Sequence, residues 1–190
     1  MRVALIHDWL TGMRGGEKCL EVFCELFPDA TVFTLLHNKG SVSPIIENME
    51  IVTSFIQNLP SAESKYRSYL PLFPRAVESF DLKGFDFVLS SSHCAAKGVK
   101  VPRSAHHICY CYTPMRYAWL FFDEYFGNIN PLKKVLISNI IQRLKIWDLK
   151  TNETVDFFIA ISDNVKKRIK DFYAREADVI DRKASCRERV

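Results

Sequence analysis

The chain has 190 residues, 48% of them hydrophobic and 25% charged, with a formal net charge of +4. This is the composition of an ordinary globular protein, long enough to bury a core without metal or disulfide staples and short enough for one domain at roughly 150 residues per domain. Acidic and basic residues interleave, which excludes a basic stripe for nucleic acid, and no stretch approaches the ~20 apolar residues of a membrane span.

The first element is the run Val3-Ala4-Leu5-Ile6, unbroken rather than alternating, as expected of a strand covered on both faces in a parallel sheet. His7 and Asp8 follow it and would break the apolar core of a secretory leader. After Gly15-Gly16 the spacing Leu20, Phe23, Cys24, Phe27 places one apolar stripe on a helix, with Glu17 in its first turn and Pro28-Asp29 ending it. Further strand-like runs lie at 31–36, 51–55, 85–89, 108–112 and 157–161. The stretch 58–81 is cut by Pro60, Pro71 and Pro74, and one or two short helices are expected there. Asn130-Pro131 reads as an N-cap and first helical residue, opening a helix with Leu132, Val135, Leu136, Ile140, Leu144 and Trp147 on one side. Its lysines and arginines suit either an anionic membrane surface or, more simply, a solvated outer face. A last helix opens at Ser162, with Val165 and Ile169 inward and Lys166, Lys167 and Arg168 outward. Strand and helix in alternation predict an α/β, Rossmann-like, doubly wound parallel sheet with helices on both faces.

Ligands of such a sheet bind beyond the carboxyl ends of its strands. The residues at those places are His7-Asp8, His37, Ser90-Ser91-Ser92-His93, Thr113 and Ser162-Asp163, a gathering of polar and titratable groups. The loop from Thr11 to Lys18 supplies glycines and a helix N-terminus, which suit a phosphate, although a tight turn alone would also need glycine. It is not a P-loop, because Lys18 lies between Glu17 and Cys19. It is not a dinucleotide fingerprint either, because the third place counted from Gly12 is Arg14. That failure speaks against an oxidoreductase. The six cysteines mostly fall inside apolar runs, where free thiols of a reducing cytoplasm behave as small hydrophobes. His93-Cys94 and the 106–111 stretch lack the spacing of a zinc site, so no metal is expected.

Four blocks now stand in order: Val3-Ala4-Leu5-Ile6-His7-Asp8-Trp9-Leu10, Gly15-Gly16-Glu17-Lys18, Ser90-Ser91-Ser92-His93-Cys94-Ala95-Ala96-Lys97-Gly98, and Tyr110-Cys111-Tyr112-Thr113-Pro114-Met115-Arg116-Tyr117-Ala118-Trp119. Together they resemble the N-terminal domain of bacterial glycosyltransferase family 4 proteins, in the mannosyltransferase-like branch of surface-polysaccharide assembly. The resemblance covers residues 1–180. It implies one Rossmann-like half of a GT-B architecture, the acceptor side of a retaining hexosyltransferase that uses a nucleotide-sugar donor and a glycan or lipid-linked acceptor. No further cofactor is implied. The setting would be the cytoplasm, with peripheral contact at the inner face of the membrane. Gly15 and Gly16 would lie near the donor diphosphate. Asp8 and His93 would serve catalysis, and Lys97, Thr113, Arg116 and Tyr117 would line the cleft with them. Arg116 suits an acidic or phosphate-bearing acceptor, since a guanidinium binds two oxygens at once; a fold-internal ion pair is its other reading.

The chain departs from the family in three places. Tyr112-Thr113-Pro114 stands where relatives have His-Thr-Pro, Ile161-Ser162 where they have Asn-Ser, and residues 181–190 do not follow the family pattern. That tail is expected to be disordered or foreign, with the donor-binding C-terminal domain absent, so that the chain alone would turn over poorly. A non-catalytic binding module on the same fold is the alternative.

Overall fold

A computed structural model describes residues 1–119 and 131–180. Seven strands form one sheet: β1 Val3–His7, β2 Thr31–Thr34, β3 Glu50–Thr53, β4 Phe87–Ser92, β5 His106–Cys111, β6 Phe157–Ala160 and β7 Asp178–Val179. Every neighbouring pair is parallel and the spatial order is β3-β2-β1-β4-β5-β6-β7. The helices are α1 Gly15–Leu26, α2 Pro44–Glu47, α3 Ala62–Lys65, α4 Phe73–Val77, α5 Arg116–Trp119, α6 Pro131–Lys150 and α7 Asp163–Tyr173. The chain winds outward from β1 through β2 to β3, then restarts at β4 and winds the other way. The order therefore reverses between β1 and β4, which opens a crevice beyond their carboxyl ends.

Strand alternation sorts the core into layers. Val3 and Leu5 of β1 join Cys19, Leu20 and Cys24 of α1 on one face, whereas Ala4 and Ile6 join Phe73, Ala76 and Val77 of α4 on the other. Cys109 and Cys111 of β5 turn to the face that carries Val165, Ile169 and Tyr173 of α7, with Tyr110 opposite. The expected doubly wound sheet with helices on both faces is thus the observed one. Gly98 marks a close approach, since a Cβ there would overlap the Trp147 ring of α6.

Several local expectations shift. The serines of 90–92, expected just past a strand, continue β4 and are buried, because their hydroxyls find partners inside the protein. The proline-cut stretch holds α3 and α4 together with 3₁₀ turns at Phe55–Asn58 and Tyr66–Leu72. β7 carries no apolar run that would announce it. Ser162 does cap α7, its hydroxyl accepting from Val165 N–H at 3.4 Å. In α6 the fully buried residues are Ile141, Leu144 and Asp148, Ile140 and Trp147 pack partly buried against the core as expected, and Val135, expected inward, is 63% exposed. The side chains of Leu132 and Leu136, the proposed cap at Asn130 and the 181–190 tail lie outside the described residues. Among the described residues no helix is long and apolar enough to cross a membrane.

Candidate functional site

The carboxyl end of β1 delivers Asp8 into the turn that follows β4. Its Oδ2 accepts from the backbone N–H groups of His93 at 2.7 Å and Cys94 at 3.0 Å, and its Oδ1 from those of Ala95 at 2.6 Å and Ala96 at 2.8 Å. His93 Nδ1 adds a contact to Oδ2 at 2.9 Å. Burial alone would raise the Asp8 carboxyl. The His93 ring and backbone outweigh that and hold it below the usual carboxylate range. An ionised Asp8 can only accept, so His93 Nδ1 donates to it. The ring is thereby oriented, and its Nε2 has no protein partner among the described residues. The Trp9 ring supports it edge-on, with centroids 4.5 Å apart.

A second group lies beneath the start of α1. His7 Nδ1 is 3.1 Å from Ser91 Oγ, Ser91 Oγ is 2.7 Å from Tyr112 Oη, and Tyr112 Oη donates to the Gly16 carbonyl at 3.0 Å. This ties β1, β4 and β5 to the first turn of the helix. Burial pushes the His7 imidazole down to about 4, with Asp8 opposing and His93 adding to the effect. Glu17 accepts from Arg14 N–H at 3.0 Å and closes one side of the helix start. The next N–H groups, on Gly15 and Gly16, have no intrahelical acceptor at that position.

Between these groups lies a cavity of about 310 Å³. Its floor is His7, Gly16 and Tyr112, one wall is Trp9 and His93, and Arg14, Arg67, Arg116 and Tyr117 stand around it. The described residues that line it include three guanidiniums and one carboxylate, that of Glu17, which Arg14 N–H already engages. Guanidiniums and a helix start are both groups that suit an anion. Among the described residues no group of His, Cys, Asp and Glu is disposed to hold a metal ion.

Of the residues expected at the site, the structure brings together Gly15, Gly16, His93, Arg116 and Tyr117. Asp8 is fully buried and spent on the 93–96 backbone, so it positions His93 instead of lining the cleft. Lys97 is turned away altogether. Its ammonium pairs with Asp148 Oδ1 at 2.9 Å and bonds the Asp148 carbonyl at 2.6 Å and Thr151 Oγ1 at 2.7 Å, because a buried cation needs a buried anion. Thr113 is buried and does not line the cavity. The reading of the sequence did not assign Arg14, Arg67 or Trp9 to the site. Trp9 could have been found from its place two residues past β1. Arg67 offers no such signal, lying in the proline-cut stretch where no register could be set.

No protein-family model matches the chain, and no curated protein matches it. Solved structures do. HepE of Anabaena, crystallised with UDP, superposes with a TM-score of 0.57 at 15% identity, over 95% of this chain and 44% of HepE. The lipopolysaccharide outer core galactosyltransferase WaaB, in its apo form, gives 0.47 at 12% identity over the same shares. The chain thus spans less than half the length of either protein. The likeness to HepE establishes the fold, a Rossmann-like α/β unit of the kind that makes one half of a GT-B architecture.

Proposed function

We propose that the chain is the acceptor-side half of a glycosyltransferase that moves a hexose, such as mannose, from a nucleotide-sugar to a glycan or lipid-linked acceptor with retention. One observation carries the reading: the cavity at the β1–β4 switch point combines a glycine helix start with three arginines. Such a site suits the diphosphate of a donor, and HepE, of like fold, was crystallised with UDP. Gly15 and Gly16 N–H groups and the arginines would stabilise the charge that develops on the leaving phosphate. His93, oriented by Asp8, would face the sugar from the opposite wall. Contact with a membrane draws support from the outer side of α6, where Ile146 and Leu149 are exposed beside Arg143 and Lys150. The cytoplasmic face is the setting this reading requires.

Calorimetric titration of the chain with UDP-glucose and GDP-mannose tests the proposal. We expect binding that weakens with salt and falls about tenfold in Arg116→Ala, the loss of one charge-assisted contact. Binding of neither nucleotide-sugar, or an Arg116→Ala variant that binds as well as the wild type, would refute it. Transfer by the chain alone should be undetectable, since the donor's remaining contacts would come from a second domain.

A further inference from the structure

The hydroxyl relay under the cavity fixes the protons of His7. Tyr112 Oη stands 3.0 Å from the Gly16 carbonyl oxygen, and two oxygens that close need a proton between them. A carbonyl only accepts, so the phenol proton points to Gly16. The Tyr112 oxygen is then the acceptor in its 2.7 Å contact with Ser91 Oγ, and this uses the one proton the serine hydroxyl has. Ser91 must in turn accept from His7 Nδ1 at 3.1 Å. His7 therefore carries its proton on Nδ1 and presents a lone pair at Nε2. That atom is buried and meets no polar partner among the described residues. His7 lines the cavity floor, directly under the start of α1. Gly16 keeps the place open: a Cβ there would stand 3.8 Å from Nε2 and 3.4 Å from Cε1.

We propose that His7 Nε2 is the hydrogen-bond acceptor for a hydroxyl of the bound ligand, so that this nitrogen selects a hydroxyl and turns a phosphate oxygen away from itself, toward the helix-start N–H groups and the arginines. A phosphate oxygen would set lone pair against lone pair at Nε2, whereas a hydroxyl supplies the missing proton. The arginines above take the anionic part. The ligand class is then a polyol or sugar bearing a phosphate, with the sugar lowered onto the floor. Burial, which keeps the ring neutral near pH 7, preserves the lone pair. The inference rests on the cavity being the ligand site described under Proposed function, and the test separates the two.

Nitrogen-15 spectra of the histidine-labelled chain read the ring directly. Without ligand, His7 should show the Nδ1-protonated pattern between pH 6 and 8; an Nε2-protonated or doubly protonated ring overturns the proposal. Tyr112→Phe removes the anchor of the relay and should give a mixture of tautomers, and a ring still wholly Nδ1-protonated overturns it too. UDP-glucose should shift the Nε2 resonance as a hydrogen bond forms. Gly16→Ala, which lays a methyl against Nε2, should abolish that shift. Binding of UDP-glucose with Nε2 unmoved would overturn the inference and leave the nucleotide-sugar reading standing. Should neither UDP-glucose nor GDP-mannose bind, the nucleotide-sugar reading falls. Glucose 1-phosphate and octyl glucoside then decide the inference: a shift of Nε2 with either supports it, and silence with both ends it.

Discussion

Two buried histidines reach toward the serines of β4, and only one of them is finished. His107 on β5 has Nδ1 2.9 Å from the Thr154 carbonyl and Nε2 2.8 Å from Ser90 Oγ, so both ring nitrogens are paired. His7 on β1 has Nδ1 on Ser91 and, among the described residues, nothing on Nε2. Each carbonyl-anchored arrangement puts the proton on Nδ1, and burial pushes both rings down to about 4. The two are thus alike in burial, tautomer and basicity, and none of these properties marks a site by itself. What separates them is the unfilled acceptor and its place: His7 ends β1 at the switch point beside the start of α1, whereas His107 lies near the opposite end of its strand.

The largest expected effect is one the two histidines share. A ring near 6.5 when unfolded and about 4 when folded binds its proton first in the unfolded state. The stability each contributes is complete above pH 6.5 and is lost as pH falls from there to about 4, a loss on the order of 3 kcal/mol per ring. Asp8, held below the usual carboxylate range, keeps its own contribution through this window and loses it at lower pH. Urea unfolding from pH 7.5 to pH 4 should show the decline. His7→Gln and His107→Gln should each remove about half of it, and a slope unchanged in both variants would contradict the assignment. Next in size are the truncations. Either histidine replaced by alanine leaves a cavity costing roughly 3 kcal/mol. His107→Ala should cost about 1 kcal/mol more than His7→Ala, because it breaks two hydrogen bonds and His7→Ala one. Ligand affinity should move the other way, falling only in His7→Ala. Equal effects on both properties would erase the distinction between the two rings.

Much of this molecule was legible before any coordinates. Uninterrupted apolar runs place six of the seven strands, because strands buried on both faces need no polar residue, and β7 was missed because its two exposed residues carry no such run. The glycine loop and His93, which line the cavity, were singled out by asking which residues follow strands, and Arg116 by the resemblance to a family. Lys97 was misplaced for a physical reason. Its anion, Asp148, lies 51 residues away on α6, and no local pattern distinguishes a lysine that meets a ligand from one that meets a distant carboxylate. Asp8 shows the same limit. It stands at the carboxyl end of β1, yet whether its oxygens faced the cavity depended on four N–H groups more than 80 residues along the chain. The serine run of β4 misled in the opposite direction. Three hydroxyls were expected just past the strand, at the ligand crevice, but two of them pair with His7 and His107, and paired polar groups can stay in a buried strand.

The smallest expected change is the sharpest test of the contrast, because it touches one histidine and spares the fold. Gly16 lies in the first turn of α1 without a positive φ, so an alanine there meets no backbone strain. Its Cβ would find His7 Cε1 at 3.4 Å and Tyr112 Cε2 at 3.6 Å, ordinary van der Waals distances. Replacing a helical glycine by alanine stabilises by roughly 0.5–1 kcal/mol, and less at a helix end, so Gly16→Ala should leave Tm level or raise it by about 2 °C. The unfilled nitrogen of His7 would then be covered by a methyl, while His107, already paired, would keep its spectrum and its share of the pH dependence. A marked fall in Tm would mean that the methyl displaces His7 or Tyr112 instead of covering them, and the helix start would be packing against the relay more tightly than these distances describe. A level Tm with ligand response lost at His7 alone would show that glycine is kept here for access, at the one buried side-chain nitrogen left without a partner among the described residues.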